Sequence, residues 1–252
     1  MPQTITRPGL KRKRYRSYPP AALFLLAVFC FAAITSAPAV LGIIKRGPAT
    51  EPLVALTFDD GPDPVFTPQI LDILQHEGVP ATFFVVGEGA ALQPELVLRL
   101  AAGGFELANH TYTHARPGML SRAETRAEIA RTTEIIQDLT GQNPRYLRPP
   151  RGEITPRFWL EARRQDLGIA LWTIAVENQE MKTPAAMARR IIENTQNGYI
   201  ILLHDGRLDR QATVQALPLI IKGLKERGFG FVTLSQLLDG DSTQSNKNPT
   251  FD

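Results

Sequence analysis

The sequence predicts an α/β domain, a parallel sheet or barrel of about seven strands, preceded by an N-terminal hydrophobic signal or anchor helix. Short β-type runs alternate with amphipathic helical patterns from Leu53 to about Gly240, which favours parallel strands joined by helices over an all-β sandwich. Helix start and stop signals fall between those runs. An uncharged stretch at 21–44 follows a cluster of basic residues and is set apart from everything after it.

Residues 1–20 hold Arg7, Lys11, Arg12, Lys13, Arg14 and Arg16 with no acidic residue, and such a flank is expected on the cytoplasmic side. The following 24 residues carry no charge, and the first 14 (AALFLLAVFCFAAI) are wholly apolar. As a helix, 24 residues would reach roughly 36 Å and cross a hydrocarbon core of roughly 30 Å. The apolar 14 alone have the length of a signal-peptide core. Ala37-Pro38-Ala39 supplies small residues for processing, but the proline between them makes a poor cleavage site. The expectation is an uncleaved single-pass anchor through residues 21–44, with a secreted form if cleavage occurs. A linker at 45–52, an exported catalytic domain at 53–240 and a polar tail at 241–252 complete the chain.

Strands are expected at 53–58, 81–86, 105–108, 145–147, 169–174, 199–203 and 229–232, where β-branched and aromatic residues are bounded by turn formers. Thr67-Pro68, Thr155-Pro156 and Thr183-Pro184 each place a capping hydroxyl before a proline suited to a first helical turn. Ser121 with Glu124 reads as a capping box, and Gly78, Gly141, Gly198 and Gly228 as helix stops. Pro218 should disturb the helix expected from about Asp209 to Arg227.

Composition excludes several classes. The 252 residues include 28 Lys plus Arg and 25 Asp plus Glu, but six of the basic residues precede position 45. The rest of the chain therefore holds 22 basic against 25 acidic residues, so the pI of about 9.1 does not signal a nucleic-acid-binding face. A single cysteine, Cys30, excludes an internal disulfide framework and a cysteine-rich zinc module.

Polar clusters follow the expected strands, where a βα architecture places its active site. They are Asp59-Asp60-Gly61-Pro62, Asn109-His110, Arg148-Pro149-Pro150-Arg151-Gly152, Glu177-Asn178 and His204-Asp205-Gly206. Adjacent strand residues point to opposite sides, so Asp59 and Asp60 can take different jobs, one on a metal and one as a proton acceptor. Alone, the same residues read as an ordinary Asp-Gly-Pro turn. His110 and His114 are spaced i and i+4, which on a helical turn brings two imidazoles to one face. Two imidazoles and one carboxylate leave positions open for water and substrate, the mark of a catalytic metal site. His204 alone reads as a strand-end residue, Arg148 and Arg151 as surface arginines, and His76 has no assigned role.

Taken together, ALTFDDGPDP at 55–64, TPQILDILQHEGVPATFFVVG at 67–87, GGFELANHTYTH at 103–114, YLRPPRG at 146–152 and ILLHDG at 201–206 resemble the polysaccharide deacetylase family, also called the NodB-homology domain or carbohydrate esterase family 4. The resemblance covers roughly Pro52 to Gly240. It implies an irregular (β/α) barrel and a metal-dependent hydrolase that removes N-acetyl groups from an extracytoplasmic polysaccharide: peptidoglycan, a chitin-like oligomer or an exopolysaccharide. It makes Asp59 the catalytic base, His204 the general acid, and Asp60, His110 and His114 the ligands of a divalent metal, Zn²⁺ first. Arg148 would orient Asp59, the Arg151 backbone N–H would stabilise the oxyanion, and Leu202 would wall the acetate pocket. Imidazole and carboxylate donors also accept Co²⁺, Ni²⁺ or Mn²⁺.

Two departures stand out. After the fifth strand the family carries an Asp-rich segment ending in Trp, whereas this chain reads WTIAVENQE at 172–180, with Glu177 as the one candidate to support His204 and Gln179 in place of the Trp. Arg151 stands where many members carry Tyr. The competing readings are a metal-dependent amide hydrolase on a small nitrogenous compound, a carbohydrate-binding pseudoenzyme and a membrane-tethered assembly factor.

Overall fold

The computed structural model describes residues 42–177 and 183–240. The expected cytoplasmic N-terminus, the apolar residues 21–41, Gln179 and the 241–252 tail lie outside the described residues. Among the described residues there are nine strands: β1 (Ile43–Ile44), β2 (Leu53–Asp59), β3 (Thr82–Val85), β4 (Glu106–Asn109), β5 (Tyr146–Leu147), β6 (Gly168–Ala170), β7 (Ile174–Ala175), β8 (Ile200–His204) and β9 (Gly230–Phe231). The described α-helices number eight, the first seven lying between strands and the last following β9: α1 (Phe66–Glu77), α2 (Gly87–Leu92), α3 (Pro94–Ala102), α4 (Arg122–Thr140), α5 (Pro156–Arg164), α6 (Pro184–Asn194), α7 (Gln211–Glu226) and α8 (Leu234–Asp239). The sheet runs β1-β6-β5-β4-β3-β2-β8-β7 with every strand pair parallel, and β9 adds to the start of β2.

The expected strand at 169–174 is two strands, and the break shows why the sheet curls. β6 lies near one edge and β7 at the other, six strand spacings away, roughly 29 Å in a flat sheet. Only Leu171, Trp172 and Thr173 connect them, and four Cα steps span at most about 14 Å. The sheet must therefore roll until its edges approach. Residues expected to form the end of the apolar span and a linker complete the roll. Ile43 and Ile44 do not continue a helix but pair with Ile169 and Ala170, because β6 would otherwise leave its N–H and C=O groups open. Arg46 then bridges antiparallel to Tyr199, and Gly47 N–H donates to Gly198 O at 2.8 Å. The domain thus begins by residue 43. Among the described residues no helix is long and apolar enough to cross a membrane.

Strand periodicity sorts the core into two layers. Val54, Leu56, Phe58, Phe83, Val85, Leu107, Ile201 and Leu203 pack outward under the helices, with Phe58 and Phe83 stacked at 4.9 Å. Their alternates Ala55, Phe84, Ala108, Tyr146, Ala170 and Ile200 face a second cluster that Val232, Leu234 and Leu237 complete. Small alanines suit the narrow interior of a rolled sheet. Because β2 and β8 alternate in this way, Thr57 and Asp59 continue the row of Ala55, and Leu202 and His204 continue that of Ile200.

Most end signals hold: Thr155 and Thr183 accept from the N–H groups of Phe158 and Ala186, and Ser121 with Glu124 forms the capping box. Gly78 and Gly141 cap in the left-handed region. Three expectations change. Thr67 does not cap α1 but lies inside its first turn; Val65 holds the N-cap position with no side-chain cap, and Asp63 Oδ1 just before it accepts from Val65 and Phe66 N–H. Gly198 ends no helix; α6 stops at Asn194, and Gly198 (φ +76°) makes the tight approach to Gly47 and Pro48. Pro218 sits within an unbroken α7, whose buried Val214, Leu217, Ile220, Ile221 and Leu224 offset the hydrogen bond that proline cannot donate.

Candidate active site

The strand ends converge as expected, with Asp59 and His204 in register across β2 and β8. The carboxylates of Asp59 and Asp60 do not point to opposite sides. Asp60 follows the last residue of β2 and takes φ +77°, which turns it back, so that Asp59 Oδ2 and Asp60 Oδ1 each lie 3.7 Å from His110 Nε2. His110 and His114 also meet without a helix. Residues 110–114 form a loop with Thr111 (φ +66°) and His114 (φ +58°) in the left-handed region, and the two rings lie 5.0 Å apart. That loop is pinned from α4, where Glu128 accepts from the N–H groups of Tyr112 and Thr113 and from the Thr113 hydroxyl, all within 2.9 Å.

Donor atoms of Asp60, His110 and His114 all lie within 4.8 Å of one another. His110 Nδ1 donates to Arg148 O at 2.8 Å, which fixes the tautomer and leaves the Nε2 lone pair facing Asp60. Asp60 Oδ1 is buried with no hydrogen-bond partner and lies 3.2 Å from His114 Nε2. Burial pulls the pKa of His110 down to about 4; burial and the neighbouring His110 do the same for His114. Two neutral imidazoles and an orphaned carboxylate oxygen are the donor set that a divalent cation needs, so the residues fit a metal.

Asp59 is 3% exposed and receives Arg148 Nη1 at 2.6 Å. Burial raises its pKa and outweighs the opposing charge of Arg148. The Arg148 guanidinium is wholly buried and also donates to Thr57 Oγ1 (3.0 Å), Ala170 O (3.1 Å) and Leu171 O (2.9 Å). It therefore holds both the aspartate and the point where the chain leaves β6.

His204 Nδ1 lies 3.0 Å from Glu177 Oε2, so Glu177 does back this histidine. Thr213 Oγ1 and His204 N–H fix the other oxygen at 2.7 and 3.2 Å. Burial lowers the His204 pKa, but the bond and charge of Glu177, with Asp59, outweigh it, and the net shift is upward. Arg151 takes φ +60° in the 3₁₀ turn Pro150–Gly152, its side chain exposed. Leu202 is 4% exposed, two residues before His204 and in register with Thr57 and Ala175. His76, at the end of α1, has its side chain 86% exposed.

Against known proteins, the polysaccharide deacetylase family model matches residues 46–170. A peptidoglycan-N-acetylglucosamine deacetylase of Bacillus cereus is 39% identical over 194 residues, covering 76% of this chain and 70% of the relative. The chain belongs to the polysaccharide deacetylase family, carbohydrate esterase family 4. With relatives that are peptidoglycan N-acetylglucosamine and chitooligosaccharide deacetylases, it is an enzyme, a polysaccharide deacetylase. A chitooligosaccharide deacetylase of a Bradyrhizobium species is 36% identical over 196 residues, 73% of this chain and 90% of that one. Among solved structures, a peptidoglycan N-acetylglucosamine deacetylase bound to a naphthalenyl N-oxidanyl-benzamide superposes with TM-score 0.77 at 36% identity, covering 81% of this chain and 96% of that chain. A family pseudoenzyme from Bacillus anthracis shares the fold at TM-score 0.72 and 28% identity, covering 78% and 69%.

Sequence patterning gave Asp205 no role beyond its place in the His204-Asp205-Gly206 cluster and did not single out Arg210 or Glu128. Asp205 accepts from Gly61 N–H (3.0 Å) and Thr67 Oγ1 (2.6 Å), and burial pushes its pKa up to about 7. Arg210 reaches Asp60 Oδ2 at 3.1 Å. For Asp205 and Arg210 the only signal is their place just after β8.

Proposed function

We propose that this enzyme removes N-acetyl groups from an extracytoplasmic glycan, peptidoglycan or chitooligosaccharide, with a divalent metal at Asp60, His110 and His114. The observation that carries the metal is the buried, unpartnered Asp60 Oδ1 facing two neutral imidazoles. The cation would supply Lewis acidity toward the amide carbonyl and acidify water. Asp59, held by Arg148, takes the proton of the attacking water. His204, held by Glu177, gives a proton to the departing sugar nitrogen, so acetate and an amino sugar leave. The two groups need opposite protonation, and their partners act accordingly: Arg148 favours an ionised Asp59, and Glu177 favours a protonated His204. In this reading the N–H of Arg151, a residue at φ +60°, would meet developing negative charge, and buried Leu202, two residues before His204, would wall the acetate pocket.

The substrate reading is supported by relatives that bear those names, and the compartment by the basic 1–20 segment before an uncharged 21–44. Acetate release from N-acetylated chitooligosaccharides and from peptidoglycan, with and without chelator, tests the activity; release unaffected by complete metal removal defeats the metal role. No release from any N-acetylated glycan would defeat the proposed substrate class. His110→Ala and His114→Ala should lose bound metal and turnover together. A reporter active only outside the cytoplasm, fused after Asp252, should give signal; signal from a cytoplasm-only reporter instead defeats the topology.

A further inference from the structure

We infer that Arg210 is a positioning residue for the metal ligand Asp60, an inference that rests on the metal-site reading above. Arg210 is 7% exposed at the start of α7. Its Nε donates to Gly206 O at 2.9 Å and its Nη2 to Asp60 Oδ2 at 3.1 Å. The two oxygens of Asp60 are thereby made unequal: Oδ2 is occupied, while Oδ1 is buried, free of hydrogen bonds and turned to His110 and His114.

The brace is needed because Asp60 sits at φ +77°, a region an L-residue with a Cβ enters only when its surroundings hold it there. The loop after β8 does the holding. Asp205 Oδ1 takes Gly61 N–H, Asp205 N–H donates to Asp59 O at 3.0 Å, and a Cβ on Gly206 would come within 2.3 Å of Asp60 O, so only glycine lets the loop lie this close. Arg210 is the one member of this grip that reaches the ligand side chain.

A guanidinium beside a cation site has two opposing effects. Its charge repels the cation. Its planar fork fixes the carboxylate, sparing the metal the cost of ordering it, and loss of such a partner commonly weakens metal affinity about 10–100-fold. The structure assigns the second effect as dominant, because Arg210 spans two acceptors and leaves Oδ1 alone for the cation.

The test is the Zn²⁺ dissociation constant of the purified protein by chelator competition, with the visible spectrum of the Co²⁺-loaded protein as a second readout. Arg210→Met should weaken Zn²⁺ binding about 10–100-fold. Arg210→Lys, which keeps the charge and loses the fork, should also weaken it, and both should alter the Co²⁺ spectrum. Arg145→Met, which breaks the remote surface pair with Asp239, should do neither. Affinity unchanged or tightened in Arg210→Met overturns the inference. Should that variant not fold, wild-type affinity and spectrum in Arg210→Lys overturn it equally. A wild-type protein that binds no Zn²⁺ instead defeats the metal-site reading itself.

Discussion

Arg148→Met should be among the most damaging single changes in this domain, because one side chain supports both the fold and Asp59, the proposed base. The Arg148 side chain is 0% exposed and that of Asp59 4%, with 2.6 Å between Nη1 and Oδ1. Removing one partner of a buried ion pair strands the other charge and costs about 3–5 kcal/mol, a large share of a total stability of about 5–15 kcal/mol. The same change removes one of the two hydrogen bonds of Thr57 Oγ1, which keeps its donation to Ile201 O at 2.9 Å, and takes the guanidinium donor from the carbonyls of Ala170 and Leu171, where the chain crosses from β6 to β7. Urea unfolding followed by tryptophan fluorescence reads the loss, with Trp172 5.8 Å from the guanidinium. The pH dependence has a definite sign. Burial already lifts the Asp59 pKa above its ordinary 3.8 despite Arg148, and without Arg148 it rises further. The folded variant then holds a proton over a wider interval than the unfolded chain does, and its stability falls as pH rises through that interval. The deficit against wild type should be smallest near pH 3–4 and grow toward neutrality. Asp59→Asn should restore part of the stability of Arg148→Met, because no charge is then left unpaired. A loss below about 1 kcal/mol at neutral pH, the ordinary worth of an exposed pair, would refute the argument. So would a double variant no more stable than Arg148→Met alone.

Glu177→Gln should shift the alkaline limb of kcat/KM to lower pH, because burial then depresses the His204 pKa unopposed by its carboxylate and the acid loses its proton sooner; an unmoved limb makes Glu177 a bystander. Asp59→Asn should keep its metal and lose roughly 10²–10⁴-fold in turnover, the range for a general base, and loss of metal by elemental analysis would assign it to the ligand set instead. The Asp205 pKa is raised to about 7, so that residue should cost wild-type stability as pH climbs from about 4 to about 7; Asp205→Asn should lack that slope, and parallel stability–pH curves would count against it. Phe83→Ala should cost about 3–5 kcal/mol in urea unfolding, since Phe83 is 1% exposed and packed on both Phe58 and Phe105, and a cost under about 1 kcal/mol would mean the layer collapses into the space.

Much of the site was legible because chemistry and local geometry coincide in the chain. Strand runs, turn glycines and hydroxyl–proline caps are local signals, and they placed Asp59, Asn109, Arg148 and His204 at strand ends before any contact was known. Spacing misled where backbone conformation intervened. Neither the i, i+4 separation of His110 and His114 nor the alternation of Asp59 and Asp60 contains the left-handed turns at Asp60, Thr111 and His114 that bring these groups together.

By itself, then, the sequence determined the parallel βα series, the family, the titratable residues that gather at the strand ends, and the separation of a basic, apolar N-terminal segment from a mildly acidic domain. Each of these is written in residue identity or in period, which a linear chain displays directly. Tertiary structure alone decided that 169–174 divides to span a rolled sheet, that Ile43, Ile44 and Arg46 strap its opening, and that Glu177 reaches His204. Only it could show Arg210 and Asp205 gripping the turn of Asp60, 150 residues away from Arg210. Contacts at that separation depend on where the whole sheet curls, and that curl is set by a sum of pairings to which no local stretch of sequence has access.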